Sequence, residues 1–187
     1  MKKIKIVKLN RRNFKQAIKL QETLFPEESG AMDITLASEG KTAENYCLLN
    51  YWLAVFNNQV VGIVGLYSYK IYPKDAWLGW FGVDKNYRKL GIGSKLFDFA
   101  YKKTKKLGFN TLRLYTDDIS NANAIPFYQK KGMISEPYTN KQDEWVSEGN
   151  TLIFSKSLNS LPLESWNNKY LALKEHESLN QHQSQKE

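Results

Sequence analysis

Val83-Asp84-Lys85-Asn86-Tyr87-Arg88-Lys89-Leu90-Gly91-Ile92-Gly93-Ser94-Lys95-Leu96 joins an apolar segment to a run of helical periodicity. The segment before it, Ala76-Trp77-Leu78-Gly79-Trp80-Phe81-Gly82-Val83, has little polar character on either face, as a strand buried on both sides requires. After it, Ile92, Leu96, Phe97 and Ala100 form one apolar stripe and predict a helix to about Lys106. Leu107-Gly108 closes that helix, because glycine accepts the left-handed conformation that terminates one. A glycine-bearing turn between strand and helix gathers backbone N–H groups and the positive end of the helix dipole at one concave place, which suits a phosphate group. Gly91 and Gly93 let an anion approach those donors, while Arg88 and its neighbouring lysines add mobile positive charge. Taken alone, the two glycines fit an ordinary strand-to-helix turn equally well.

Outward from this stretch, Ile4 to Leu9 reads as a strand and Asn13 to Leu24 as a helix with Phe14, Ala17, Ile18 and Leu20 on its apolar side, stopped by Pro26. A second helix is expected from about Ile34 to Asn45. Trp52 to Phe56 and Val60 to Leu66 flank Asn57-Asn58 as a hairpin, and Tyr67 to Lys74 reads as a polar connection. Thr111 to Thr116 is a strand after the long helix, so strand, helix and strand imply a parallel crossover within a mixed sheet. A short helix from about Asn123 to Lys131, with Asn123 as N-cap and Pro126 in its first turn, leads to strands near Met133 to Tyr138 and Thr151 to Ser157. Leu161, Trp166, Tyr170, Leu171 and Leu173 point to a C-terminal helix before a polar tail from Glu175. The expectation is an α/β domain over residues 3–158, with a central mixed sheet flanked by helices, then a helix and tail over 159–187.

Composition excludes several classes. A chain of 187 residues, 42% hydrophobic and 25% charged, has the profile of a single globular core. No apolar run is long enough to span a bilayer, and the N-terminus lacks the apolar block of a secretory signal, so no membrane association and a cytoplasmic location are expected. Cys47 is the sole cysteine, which rules out an internal disulfide and, with two histidines, leaves no zinc ligand set. The net charge of +8 is compatible with nucleic acid, an anionic membrane or a phosphorylated ligand. Lys102, Lys103, Lys105 and Lys106 fall on the outer side of the long helix, and basic residues alternate with acidic patches, so a nucleic-acid partner is not expected.

The opening stretch resembles the acetyl-CoA motif of the GNAT superfamily of N-acetyltransferases, in which Gln or Arg, two residues, Gly, one residue, and Gly or Ala bind the pyrophosphate; Arg88, Gly91 and Gly93 match it. Asn121-Ala122-Asn123-Ala124-Ile125-Pro126-Phe127-Tyr128-Gln129-Lys130-Lys131-Gly132-Met133 is similar to that superfamily's other signature. The resemblance covers roughly Tyr51 to Tyr138, and the N-terminal helices and the 138–148 insertion depart from it. It implies a GNAT-like fold and acetyl-CoA as cofactor, held by Phe81, Gly82, Val83, Arg88, Lys89, Leu90, Gly91, Ile92, Gly93, Ser94 and Asn121. It further implies direct transfer of the acetyl group to a primary amine, with Tyr128 donating a proton to the departing thiolate.

The strand Trp77 to Val83 lacks the Glu or Asp that many relatives carry, which leaves Asp117, at the end of the next strand, as the candidate general base. Asp117 fits a strand terminator as well, and a water-borne route serves the same end. Glu22, Glu27, Glu28, Asp33, Glu39 and Glu44 stand against one Lys41, an acidic block inside a basic protein. In the superfamily this region borders the acceptor, so Glu27 and Glu28, with Trp80 as an aromatic wall, are expected to receive a cationic amine: a polyamine, an aminoglycoside-like compound, or a peptide amine. Trp52, Tyr67, Tyr69, Tyr72, Trp77 and Tyr115 are further wall candidates. A non-catalytic acyl-CoA-binding domain is the alternative reading, a nucleic-acid-binding module a weaker one, and a homodimer is compatible with either.

Overall fold

The computed structural model describes residues 3–119, 121–141, 143 and 151–171. The fold is α/β, with a seven-stranded mixed sheet flanked by helices. The chain divides into two compact units, Met1–Leu112 and Arg113–Glu187.

In the first unit the strand order is β1 (Lys5–Lys8), β2 (Tyr46–Phe56), β3 (Gln59–Tyr69), β4 (Asp75–Val83), each antiparallel to the next. Helix α1 (Phe14–Leu24) buries Ala17, Leu20 and Gln21. α2 (Ala31–Ser38) begins and ends earlier than expected. Gly30 opens it, and Lys41 N–H closes on Leu36 C=O across Gly40 at φ +73°, so the residues beyond form a loop into β2. The hairpin between β2 and β3 turns on Asn57 and Asn58, both at positive φ (52° and 62°), the pairing that suits the right-handed twist of the two strands. β3 runs on through Tyr67 and Tyr69, which were expected in a connection. Aromatic residues favour strands, and Ser68 satisfies its hydroxyl by donating to Asp75 C=O at 2.7 Å. α3 (Ile92–Lys106) buries Ile92, Leu96, Phe97, Ala100 and Thr104 and leaves Lys102, Lys105 and Lys106 in solvent, as its periodicity required.

The two faces of this sheet carry different neighbours. Leu96 lies where a Cβ on Gly62 would go, and Leu24 and Phe25 lie where one on Gly82 would go, so α3 covers one face and α1 the other. β5 (Thr111–Asp117) runs from the first unit into the second.

Within the second unit β5, β7 (Thr151–Ser157) and β6 (Ile134–Pro137) lie in that order, with β6 antiparallel to β7. The short helix is split: a 3-10 turn over Ala122–Ala124 leads into α4 (Ile125–Lys130). Ala124 is therefore the N-cap residue in place of Asn123, and no side chain caps it; Pro126 does sit in the first turn. The expected C-terminal helix is absent as far as Leu171. Residues 158–171 instead form an irregular strap held by side chains. Glu136 accepts from Ser165 Oγ at 2.6 Å and Trp166 N at 2.7 Å, Asn167 Nδ2 donates to Pro137 C=O at 2.9 Å, and Asp143 accepts from Leu171 N and Tyr138 Oη, each at 2.7 Å. Arg113, 1% exposed, donates to Ser155 Oγ at 2.7 Å and Glu164 C=O at 2.9 Å while lying 4.9 Å over the ring of Trp166. Leu173 and the tail from Glu175 lie outside the described residues, as does most of the 138–148 insertion.

Candidate functional site

β4 does not run straight into the glycine loop. Gly65 faces Gly79 and Ile63 faces Gly82, so Trp80 and Phe81 together oppose Val64: a β-bulge, one extra residue on β4. Trp80 absorbs it at φ +44°, a conformation that costs a bulky side chain of order 1–3 kcal/mol. The bulge keeps Gly79 and Gly82 on the α1 face although two residues lie between them, while Phe81 turns to the α3 face and meets Phe97 edge-on at 6.5 Å. The glycines flanking Trp80-Phe81 were the only sequence signal of this kink.

The bulge also fixes the α1–α2 connection. The Trp80 indole meets Phe25 edge-on at 5.3 Å, and it comes so close to Gly30 that a Cβ there would stand 2.6 Å from Cε2 and Nε1. Gln21, fully buried, donates from Nε2 to Glu28 C=O at 3.0 Å, and its Oε1 finds no partner among the described residues. Neither Gln21 nor Gly30 stood out in the sequence, because a polar residue on an amphipathic helix and a glycine in a loop have ordinary explanations. Glu27 and Glu28 are exposed on this connection, Met32 is exposed just beyond, and Glu39 is drawn into a pair with Lys41 at 2.7 Å that lowers its carboxyl pKa.

After Val83 the chain makes a 3-10 turn over Lys85–Tyr87, capped by Asp84 Oδ1, which accepts from Asn86 N at 2.8 Å. Arg88 folds back so that Nε donates to Val83 C=O at 3.1 Å, leaving the rest of its exposed guanidinium toward solvent. Lys89 at φ +64° and Gly91 at φ +76° bend the loop into a concave rim ahead of α3. Three observations suit that rim to a pyrophosphate. A Cβ on Gly91 would meet nothing within 4 Å, so the space before the helix is open. No side chain caps the N-terminus of α3, and no acidic residue stands in its first turn, so its backbone donors and positive dipole end keep their affinity for an anion. Ile92 is buried beneath, and Gly93 and Ser94 are half-buried, which fixes the start of the helix.

The first unit holds Phe81, Gly82, Val83, Arg88 to Ser94, Trp80, Glu27 and Glu28: Trp80 lies against the α1–α2 connection that carries the two glutamates, and Arg88 reaches back to Val83. Asp117, Asn121 and Tyr128 belong to the second unit. There, Asp117 Oδ1 accepts from Ile119 N at 2.8 Å, closing the turn after β5, and Asn121 is exposed, its side chain making no capping bond. Tyr128 is buried, 5.4 Å from the Phe154 ring, and burial pushes its phenol up to about 12. Of the expected aromatic wall, Trp52, Tyr69 and Trp77 are core, Tyr67 and Tyr72 are half-buried and Tyr115 is exposed. Trp52 packs against Phe99 beneath Lys103, on the α3 face, and Trp77 is fully buried in a stack with Tyr67. Trp80 remains beside the α1–α2 connection. Among the described residues no group of His, Cys, Asp and Glu could hold a metal, and no helix is long and apolar enough to cross a membrane.

The fold and part of the sequence recur in known proteins. Over 90 residues, 48% of this chain, it is 32% identical to a probable N-acetyltransferase camello from Xenopus tropicalis, and the match spans only 39% of that protein. Among solved structures, a GNAT-family acetyltransferase from Staphylococcus aureus Mu50 superposes with a TM-score of 0.66 at 21% identity, covering 83% of this chain and 99% of that one. The ribosomal-protein-S18-alanine N-acetyltransferase of Escherichia coli gives 0.63 at 19%, over 86% and 100%. Arabidopsis thaliana Naa50, in complex with the bisubstrate analogue CoA-Ac-MVNAL, gives 0.65 at 22%, over 82% and 98%. These identities speak to the fold. The model of the Acetyltransferase (GNAT) family matches residues 14–133, well over half the sequence and inclusive of the bulged strand and the glycine loop, and the chain belongs to that family.

Proposed function

We propose that this chain is an acetyl-CoA-dependent N-acetyltransferase acting on a cationic primary amine. The observation that carries the reading is the uncapped, open N-terminus of α3 behind Gly91, edged by Arg88 and Lys89. Backbone N–H groups of residues 91 to 94 and the Arg88 guanidinium hold the pyrophosphate, and the β4 backbone at Phe81 to Val83, beyond the bulge, orients the pantetheine arm. When bound, acetyl-CoA supplies the activated thioester. Asn121 assists in holding the cofactor. Tyr128 faces a wide gap between its own pKa, about 12, and the roughly 8.5 of an alkyl thiol. Outright proton transfer across that gap is uphill by about 5 kcal/mol. Tyr128 therefore serves as a hydrogen-bond donor to the developing thiolate, keeping its proton at neutral pH. Asp117 or water removes the amine's proton. The amine enters beside Glu27, Glu28 and Trp80, whose charge and ring suit a cation. Peptide amines head the list of acceptors, in line with the peptide-bearing analogue in Naa50 and the ribosomal-protein substrate named for the E. coli enzyme.

The test is thermal unfolding with and without acetyl-CoA, against Gly91→Glu. At 100 times Kd the ligand should stabilise by about 2.7 kcal/mol, a rise of roughly 5 to 10 °C for a protein of this size. The variant should show no rise, and amines, peptides first, are then screened by thiol release. A folded wild type that gains nothing from acetyl-CoA refutes the assignment.

A further inference from the structure

Lys85, Asn86 and Arg88 to Gly91 are all exposed, and a loop of that kind loses affinity to the entropy of ordering unless something holds it beforehand. Its first half is held at the backbone: Asp84 N donates to Val61 C=O at 2.9 Å, and Tyr87 N to Asp84 C=O at 2.9 Å. Beyond that, the Tyr87 side chain reaches another element. Its hydroxyl donates to Gln59 Oε1 at 2.5 Å, and its ring stands edge-on to Phe56 with centroids 6.1 Å apart at 75°. Phe56 and Gln59 are the pair that closes the β2–β3 hairpin, joined by the two-residue Asn57-Asn58 turn, whose left-handed dihedrals leave little freedom. One rigid hairpin end therefore grips Tyr87 from two sides, immediately before Arg88 and two residues before Lys89 enters its own left-handed conformation.

We propose that the β2–β3 hairpin tip is a positioning element for the cofactor loop, with Gln59 and Tyr87 as positioning residues that pre-set Arg88 and the rim up to Gly91 before ligand arrives. This rests on the reading of that loop as the pyrophosphate site. Neither residue touches the anion. They act by removing disorder from the loop, so their loss weakens binding of any ligand that carries the pyrophosphate.

The experiment is titration calorimetry of acetyl-CoA and of dephospho-CoA into wild type, Tyr87→Phe, Gln59→Leu and the double variant, with the melting temperature of each ligand-free protein. One partly exposed hydrogen bond that orders the site should shift Kd roughly fivefold. Each single variant is expected to show that loss for both ligands at an unchanged ligand-free melting temperature. The double variant should lose no more than either single one, because both remove the same bond. Unchanged Kd values in the variants, or losses that multiply in the double variant, overturn the proposal while leaving the cofactor assignment intact. Absence of binding in the wild type overturns both, and so the two failures are distinguishable.

Discussion

At the scale of residues, Tyr128 and Gly91 carry the proposed chemistry, and neither was fully transparent in the sequence. Gly91 alone fitted an ordinary strand-to-helix turn as well as an anion site, and its positive φ and open approach suit the second reading. Tyr128 was legible as a tyrosine in a known signature, whereas its phenol pKa depends on burial that no local pattern encodes. The direction of that shift has a consequence for stability. The folded-state value, about 12, exceeds the roughly 10 of the unfolded chain, so both states are protonated below pH 10 and stability there is indifferent to Tyr128 ionisation. Between pH 10 and 12 the unfolded chain ionises first, and stability should fall by up to about 1.4 kcal/mol per pH unit. Tyr128→Phe should flatten that part of the curve in urea denaturation at pH 9, 10 and 11. The same variant should lower kcat roughly 100-fold without changing acetyl-CoA Kd, and the wild-type rate should show no fall near pH 10. A fall there that vanishes in Tyr128→Phe would contradict the buried environment.

At the scale of elements, strands and long helices followed from periodicity, with β7 and α3 falling where their patterns placed them. Two of the misreadings share a cause: a side-chain bond beyond the local window decided the conformation. Ser68 and the tyrosines around it read as a loop until Asp75 C=O is seen to take the hydroxyl. Trp166 and Leu171 read as a helical stripe, yet their backbone donors go to Glu136 and Asp143, which lie some 30 residues earlier and compete with any helix. The strap is thus built on long-range anchors, and its central one is Trp166, fully buried between Arg113 and Lys169. Trp166→Ala should cost about 3–5 kcal/mol in chemical denaturation, by cavity formation and the stranding of Arg113. A loss below 1 kcal/mol would mean that the strap is an adornment of the second unit.

At the scale of the whole molecule, the family was legible because its motif resides in a short continuous stretch, while the proposed acceptor site depends on how separate stretches meet. The bulge at Trp80, the close approach of Gly30 and the buried Gln21 amide come from segments some 50 residues apart, and no single window contains them. Net charge acts at this scale too. With a formal +8 and a polyanionic cofactor, acetyl-CoA affinity should weaken severalfold between 50 and 300 mM salt, as calorimetry at fixed pH would record. A salt-independent Kd would confine the attraction to the loop itself. The left-handed Trp80 adds a consequence for how such a chain can be altered. Glycine would occupy that backbone without strain but would give up the indole's packing on Phe25 and against Gly30, so the side chain and not backbone comfort holds this position. A library screened for survival alone would keep the indole for that packing, and only an activity readout would separate this role from the proposed recognition of the acceptor.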